Sequence, residues 1–240
     1  MFDGLQKVSV IMNSIKRKGW GPVTSSLQVI LDALPMLLKG ALITFKIVII
    51  SLPIAFLIGL ITGLMNVSSS KILRAIATSY VDIIRGTPLL VQVFFEYFGI
   101  PAFFDIRIPA ETAGIIAISL NAGAYISEIF RAGIVSISKG QTEAARSLGL
   151  SKWLTMRLVV LPQAIRRMVP AFVNQFIVSI KDTSLLSVIG ISELTQSGEI
   201  IISANYRAFE IWGVVGVIYF IIIYALSRLS HVFERRYASK

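Results

Sequence analysis

The chain has 240 residues, of which 55% are hydrophobic and 15% charged, with a mean hydropathy of +0.78. That balance excludes an ordinary soluble domain and points to a bilayer as solvent. Its 23 basic residues outnumber 13 acidic ones, but no basic cluster sits on a soluble module, so the excess reads as membrane topology and not as nucleic-acid binding. With no cysteine in the sequence, disulfides and thiolate metal sites are excluded as well.

In chain order, Phe2, Leu5, Val8, Met12 and Ile15 recur at helical spacing and are followed by Lys16, Arg17 and Lys18. This predicts an amphipathic, interfacial segment within residues 1–39, the alternative being a disordered, tolerated extension. It lacks the apolar core and cleavage site of a signal peptide. A transmembrane domain is expected over 40–240. Its apolar runs predict five helical spans, at about 40–67, 80–100, 108–135, 168–189 and 209–229. The second span is interrupted by Arg85 and Pro88. The single histidine, His231, falls among Arg228, Arg235 and Arg236 near the C-terminus and reads as a solvated or headgroup-facing residue.

Five spans put the two termini on opposite sides, and loop charge chooses between them. Stretches 66–85, 131–167 and 228–240 together hold 14 basic and 3 acidic residues, whereas 98–112 and 190–210 hold 2 basic and 5 acidic. The basic side is cytoplasmic. The C-terminus is therefore expected in the cytoplasm and the N-terminus outside. The first 39 residues, with five basic and two acidic residues, run against that rule.

Between the third and fourth spans, within a cytoplasmic loop over 136–164, lies the charged stretch QTEAARSLGLSKWLTMRLVVLPQA, Gln141 to Ala164. Thr142 is expected to cap a short helix with Glu143 in its first turn. Gly149 suits the left-handed residue that ends it. Ser151 caps a second helix reaching about Val160, and Pro162 discourages continuation. The result is two short helices with a sharp corner. A plain connector has no need of small residues at Ala144, Ala145 and Gly149 beside a lone acid, whereas a docking surface does.

The sequence EAARSLG, then eleven residues, then LP resembles the coupling motif of binding-protein-dependent ABC importers. Glu143, Ala144, Ala145, Gly149, Leu161 and Pro162 occupy its positions. RGTPLLVQ, LNAGAYISEIFRAGI, LPQAIRRMVP and KDTSLLSVIG are further similar to membrane permeases of the polar amino acid uptake family. The resemblance covers about residues 34–236. It implies an all-α integral membrane protein with the five-span type I ABC importer fold and a cytoplasmic coupling helix. It further implies a multi-pass subunit of the plasma (inner) membrane that imports a polar or charged amino acid. The implied partners are a cytoplasmic ABC ATPase dimer, a second permease subunit (identical or paralogous), an extracellular solute-binding protein and membrane lipid. No GxxxxGK[ST] motif occurs, so the chain is not itself the ATPase by the P-loop route. It is expected to bind no cofactor, with ATP and Mg held by the partner. The chain departs from the family mainly in its longer basic N-terminal extension and in Lys46 inside the first span.

Ionisable residues inside a span cost roughly 2.5–3.5 kcal/mol each on insertion scales. Asn121, Tyr125, Glu128 and Arg131 share one helical face; Arg85, Pro88, Gln92 and Glu96 share another; Asn174, Lys181 and Ser184 a third. The expected substrate pathway is lined by Lys181, Asp182, Thr183, Ser184, Asn121, Glu128, Gln92 and Arg85. An adjacent Lys and Asp, followed by two hydroxyls, complements the carboxylate and ammonium of an amino acid. The alternative for Lys181 is a lock onto Glu128 or Glu96, and for Glu128 a pair with Arg131. Arg85 and Gly86 also suit shaping of the chain around Thr87-Pro88. Lys181 and Asp182 point about 100° apart on a regular helix, so both serve one site only where the helix is distorted or the cavity wide. An ion-gradient-driven carrier using Asp182 and Glu128 as proton sites is the rival reading, and it has no use for a docking motif.

Overall fold

The computed structural model describes residues 26–238, and every regular element among them is helical. The interfacial helix expected nearer the N-terminus lies outside them. Helix α1, Ser26–Asn66, has 41 residues and is about 60 Å long at 1.5 Å per residue. The boundary expected at residue 39 is therefore absent. Ala33 and Leu37 are buried against Leu194, Ile211 and Val215, and this packing carries the helix through Pro35.

The second crossing is two helices rather than one. Helix α2, Lys71–Arg85, is followed by α3, Leu89–Phe94, a π turn, Phe95–Gly99, and α4, Ile100–Phe104. The two halves bend by 101° at residues 86–88, because Pro88 has no N–H to continue the ladder and disfavours helix at Thr87. Helix α5, Ala110–Val135, packs lengthwise on α1. A Cβ on Gly59 would lie 2.9 Å from the Gly123 carbonyl oxygen, and one on Gly63 would lie 2.7 Å from Phe130 Cβ. Glycine on both helices lets the backbones approach where lipid offers no hydrophobic drive. The pairing of 59 with 126 and 63 with 130 makes the two helices parallel.

Helix α6, Lys139–Ser147, and α7, Lys152–Thr155, form a corner. A π turn, Met156–Val160, joins α7 to α8, Leu161–Asp182, so Pro162 does not end the helix as expected. The wider π turn accommodates the missing N–H, and Gln163 donates its side-chain amide to the Val159 carbonyl at 2.8 Å. A 3-10 segment, Thr183–Ile189, leads to α9, Leu194–Asn205, and α10, Ala208–Ala238. Among the described residues four helical runs are long and apolar enough to span a bilayer, and the bent pair makes a fifth.

The bundle has two chemically different ends. Ser26 at the start of α1 bonds Glu210 at the start of α10, and Lys46, twenty residues further along α1, pairs with Glu111 at the first turn of α5, so these acids lie away from the end that carries Asn66. Thr78 bonds Asn66 at 3.0 Å, and Arg167 donates to the Ser136 carbonyl at 2.6 Å, at the other end. The basic stretches thus gather at the end carrying α6. The salt bridge to Glu111 gives Lys46 a partner at its place in the first span.

Candidate functional site

Three features converge midway along the bundle: the α2–α3 break, the middle of α5 and the 3-10 segment. The 3-10 segment packs on α1, α3 and α5 through Val93, Ala117, Ile118 and Leu186. Gln92 holds the break. Its Nε2 lies 2.7 Å from the Ile84 carbonyl, 2.9 Å from Thr87 Oγ1 and 3.1 Å from the Thr87 carbonyl. A helix end leaves carbonyls without intrahelical partners, and this one amide answers two of them. Asn121 donates to Gln92 Oε1 at 3.1 Å. Both side chains are buried, so they shape the site from behind rather than lining it.

The expected stripes accordingly divide. Arg85 stands on α2, across the bend from Gln92 and Glu96, and does not continue their face. The physical cause is again Pro88. Arg85 is exposed and lies over the Tyr125 ring, 5.2 Å from its centroid. Arg131 donates from Nε to Glu128 Oε2 at 2.9 Å, with a second contact from Nη2 to Oε1. Tyr125, Glu128 and Arg131 are at least partly exposed, and with Arg85 they form an open charged strip below the buried Asn121. Glu96 is buried on the π turn, and its Oε2 has no hydrogen-bond partner.

Lys181 is exposed and makes no ion pair with Glu128 or Glu96 among the described residues. It shares an exposed face of α8 with Asn174, while Asp182 is half-buried. The helix changes from α to 3-10 immediately after Asp182, so Lys181 and Asp182 are both in its last α-helical turn. The hydroxyls do not do what their position in the sequence suggests. Thr183 Oγ1 donates to the Ile180 carbonyl and Ser184 Oγ to the Lys181 carbonyl, each at 2.7 Å. Both hydrogens are therefore committed to backbone, and Thr183 is fully buried.

At the basic end, α6 begins at Lys139 with Ser138 as its flanking residue, four residues before the expected Thr142 cap. Gly149 has φ +86°. Its N–H donates to Arg146 O at 3.0 Å and the Leu150 N–H to Ala145 O at 3.2 Å, the paired bonds of a Schellman termination. Ser151 caps α7 by accepting from the Leu154 N–H at 3.2 Å. Ala145 is the buried residue of α6, packed on its own chain. Glu143, Ala144 and Leu148 face outward, with Leu148 84% exposed. Leu161 and Pro162 belong to the root of α8, not to the exposed helix.

Glu193 is a residue that sequence reasoning missed. It is fully buried, accepts from the Gln196 N–H at 2.8 Å and from the Tyr219 hydroxyl at 3.0 Å, and ties α9 to α10. Its signal was an acid directly before a helical run with Gln three residues on, an N-terminal capping pattern.

Residues 55–239 match the family described as binding-protein-dependent transport system inner membrane component. The chain is 48% identical to the glutamine transport system permease protein of Escherichia coli over 85% of this chain and 94% of that one. It is 42% identical to a nopaline transport system permease protein of Agrobacterium fabrum (87% and 90% covered) and 36% identical to an arginine transport system permease protein of Bacillus subtilis (86% and 94% covered). A crystal structure of an amino acid ABC transporter with histidines superposes with TM-score 0.83 at 43% identity, covering 86% of this chain and 96% of that one. An inward-facing methionine ABC transporter shares the fold at 22% identity and TM-score 0.72, with 84% and 96% covered.

Proposed function

The chain belongs to the inner-membrane components of binding-protein-dependent transport systems, and on that premise we propose that it is one of two permease subunits of an ATP-driven importer of polar or charged amino acids. The relatives that carry glutamine, arginine and nopaline in their names support that substrate class. The observation that carries the reading is the exposed helix α6. Its Schellman end at Gly149 holds Glu143, Ala144 and Leu148 outward at the basic end of the bundle. A bulky apolar side chain that stands 84% exposed beside an acid and a small residue suits insertion into a groove on another protein.

In this reading a cytoplasmic ATPase dimer, holding ATP and Mg, seats the α6 helices of two permease subunits. An external solute-binding protein delivers substrate at the end of the bundle opposite α6. ATP-driven closure of the ATPases moves α6, and the corner at Gly149 passes that motion through the π turn into α8. Lys181 meets the substrate carboxylate and Asp182 the ammonium. Thr183 and Ser184 fix the local backbone through their bonds to Ile180 and Lys181. Gln92 and Asn121 position the broken helix, while Arg85 and Glu128 belong to the open strip along the path.

The test is co-expression with the ATPase and solute-binding protein of the same system, followed by reconstitution into proteoliposomes. Uptake of glutamine or arginine is expected to require both ATP and the binding protein. Uptake driven by a proton gradient without ATP would establish the carrier reading instead.

A further inference from the structure

Behind the docking helix, on the side away from its outward face, lies a cavity of ≈ 240 Å³. It is bounded by both arms of the corner. Thr142 and Arg146 come from α6, and Lys152 and Thr155 from α7. Ile134 and Ile137, at the end of α5, supply apolar wall, and so do Met156 and Val160, the two ends of the π turn. Two cations and two hydroxyls thus face an aliphatic lining with no acidic residue in it.

Thr155 is the informative residue. It is 2% exposed, and its Oγ1 is buried with no hydrogen-bond partner. Threonine within a helix ordinarily turns its hydroxyl back onto a preceding carbonyl, as Thr62 does here. A buried polar atom without a partner costs about 1–3 kcal/mol and calls for an explanation. Arg146 gives one N–H to the Leu150 carbonyl at 2.8 Å, which leaves its charge uncompensated among the described residues.

We propose that this cavity binds a small monoanion with an aliphatic body, the anionic group meeting Lys152, Arg146 and the Thr155 hydroxyl and the aliphatic part meeting the isoleucines and the π turn. A volume below the roughly 300–1,000 Å³ of drug-sized pockets sets the size of the bound part. The lining has no carboxylate to receive an ammonium, so a free amino acid is the wrong ligand and the transported substrate is not the occupant. Two sources present this chemistry: a free medium-chain carboxylate in the cytoplasm, and the phosphate end of an anionic lipid in the adjacent leaflet. Because the walls belong to α5, α6, α7 and the π turn that leads into α8, an occupant fixes the angle of the docking helix and so tunes coupling. That consequence rests on the reading of α6 as the docking helix; the binding itself does not.

The test uses the full chain in phosphatidylcholine nanodiscs, without ATPase, titrated with octanoate by calorimetry. One saturable site per chain is expected, with octanol, which has the same tail and no charge, at least about tenfold weaker. Thr155→Val, which keeps the side chain's shape, and Lys152→Met are each expected to weaken octanoate at least about tenfold. Thr155→Ser, which retains the hydroxyl, is expected to bind as the natural chain does. Repeating the titration in nanodiscs containing phosphatidylglycerol separates the sources: competition assigns the site to lipid, and undiminished binding assigns it to a soluble carboxylate. Absence of saturable binding in the first titration together with no specifically retained phosphatidylglycerol, or binding that ignores both Thr155→Val and Lys152→Met, overturns the proposal. Either result leaves the docking reading intact, since no ATPase takes part.

Discussion

Asn121 on α5 donates to Gln92 Oε1 at 3.1 Å, and Gln92 directs its own amide at the Ile84 carbonyl 2.7 Å away. One chain of bonds therefore ties the centre of α5 to the broken end of α2. Gln92→Leu keeps the volume and removes every one of these bonds. The buried Asn121 amide and the break's carbonyls lose their partner, at a cost of about 1–3 kcal/mol. A lower thermal unfolding midpoint and lower transport are expected together. An unchanged midpoint would show that water or a rearranged turn replaces the amide.

The α1–α5 seam makes a sharper stability prediction. A Cβ on Gly59 meets the Gly123 carbonyl oxygen at 2.9 Å, with Ile126 also in the way. Backbone cannot rotate aside as a side chain can. Gly59→Val is expected to destabilise by about 1–3 kcal/mol through overpacking and to reduce yield of folded protein. Gly213, with nothing within 4 Å of its Cβ position, is the control: Gly213→Ala is expected to leave the yield unchanged.

Local chemistry was legible in the sequence, and contacts between distant elements were not. Gly149 announced its left-handed turn because few other residues tolerate that backbone, and Ser151 announced its cap. Thr142 was misplaced because Ser138, an equally good flanking residue, precedes it in the same polar stretch. Pro88 marked a break, but the 101° angle is held by Gln92 reaching back to Ile84, and no periodicity encodes that reach. Lys46 looked anomalous until Glu111 on another helix supplied its partner. Thr183 and Ser184 looked like free donors, but each turns its hydroxyl back onto the carbonyl three residues earlier, a local bond that competes with any ligand.

Orientation follows from the two ends of the bundle. Lys152 lies at the basic end with α6, and Glu199 lies on α9 near the opposite end. The native chain has no cysteine, so single cysteines report cleanly. A membrane-impermeant thiol reagent applied to sealed cells is expected to label position 199 and to leave 152 unlabelled until the membrane is opened. Labelling of 152 from outside would invert the topology.

Coupling is tested at the corner. Gly149 has φ +86° with open space around it, so a substitution there meets backbone strain and no clash. A side chain in that conformation costs about 1–2 kcal/mol. Gly149→Leu is expected to insert and accumulate normally, because the strain sits at an exposed loop, yet to lose ATPase association and transport as α6 turns away from its bearing. Full transport in a well-expressed Gly149→Leu chain would remove the corner from the mechanism.

Lys181 offers the decisive experiment on the substrate region. Breaking a buried ion pair leaves a charge without its partner and typically costs about 3–5 kcal/mol of stability. Lys181 is exposed on its face of α8 and pairs with neither Glu128 nor Glu96 among the described residues, while Glu128 is already engaged by Arg131. Removing the charge at 181 therefore breaks no ion pair to Glu128 or Glu96 in this conformation. Lys181→Met is expected to assemble with the ATPase and retain basal ATP hydrolysis. Transport is expected to fall at least about tenfold, equivalent to roughly 1.4 kcal/mol of lost interaction with the substrate carboxylate. A lock between helices gives a different result: the variant fails to assemble, and transport and ATP hydrolysis vanish together. If transport is unchanged, Lys181 does not touch substrate, and Asp182, half-buried at the step where α8 turns into a 3-10 helix, becomes the residue to test next.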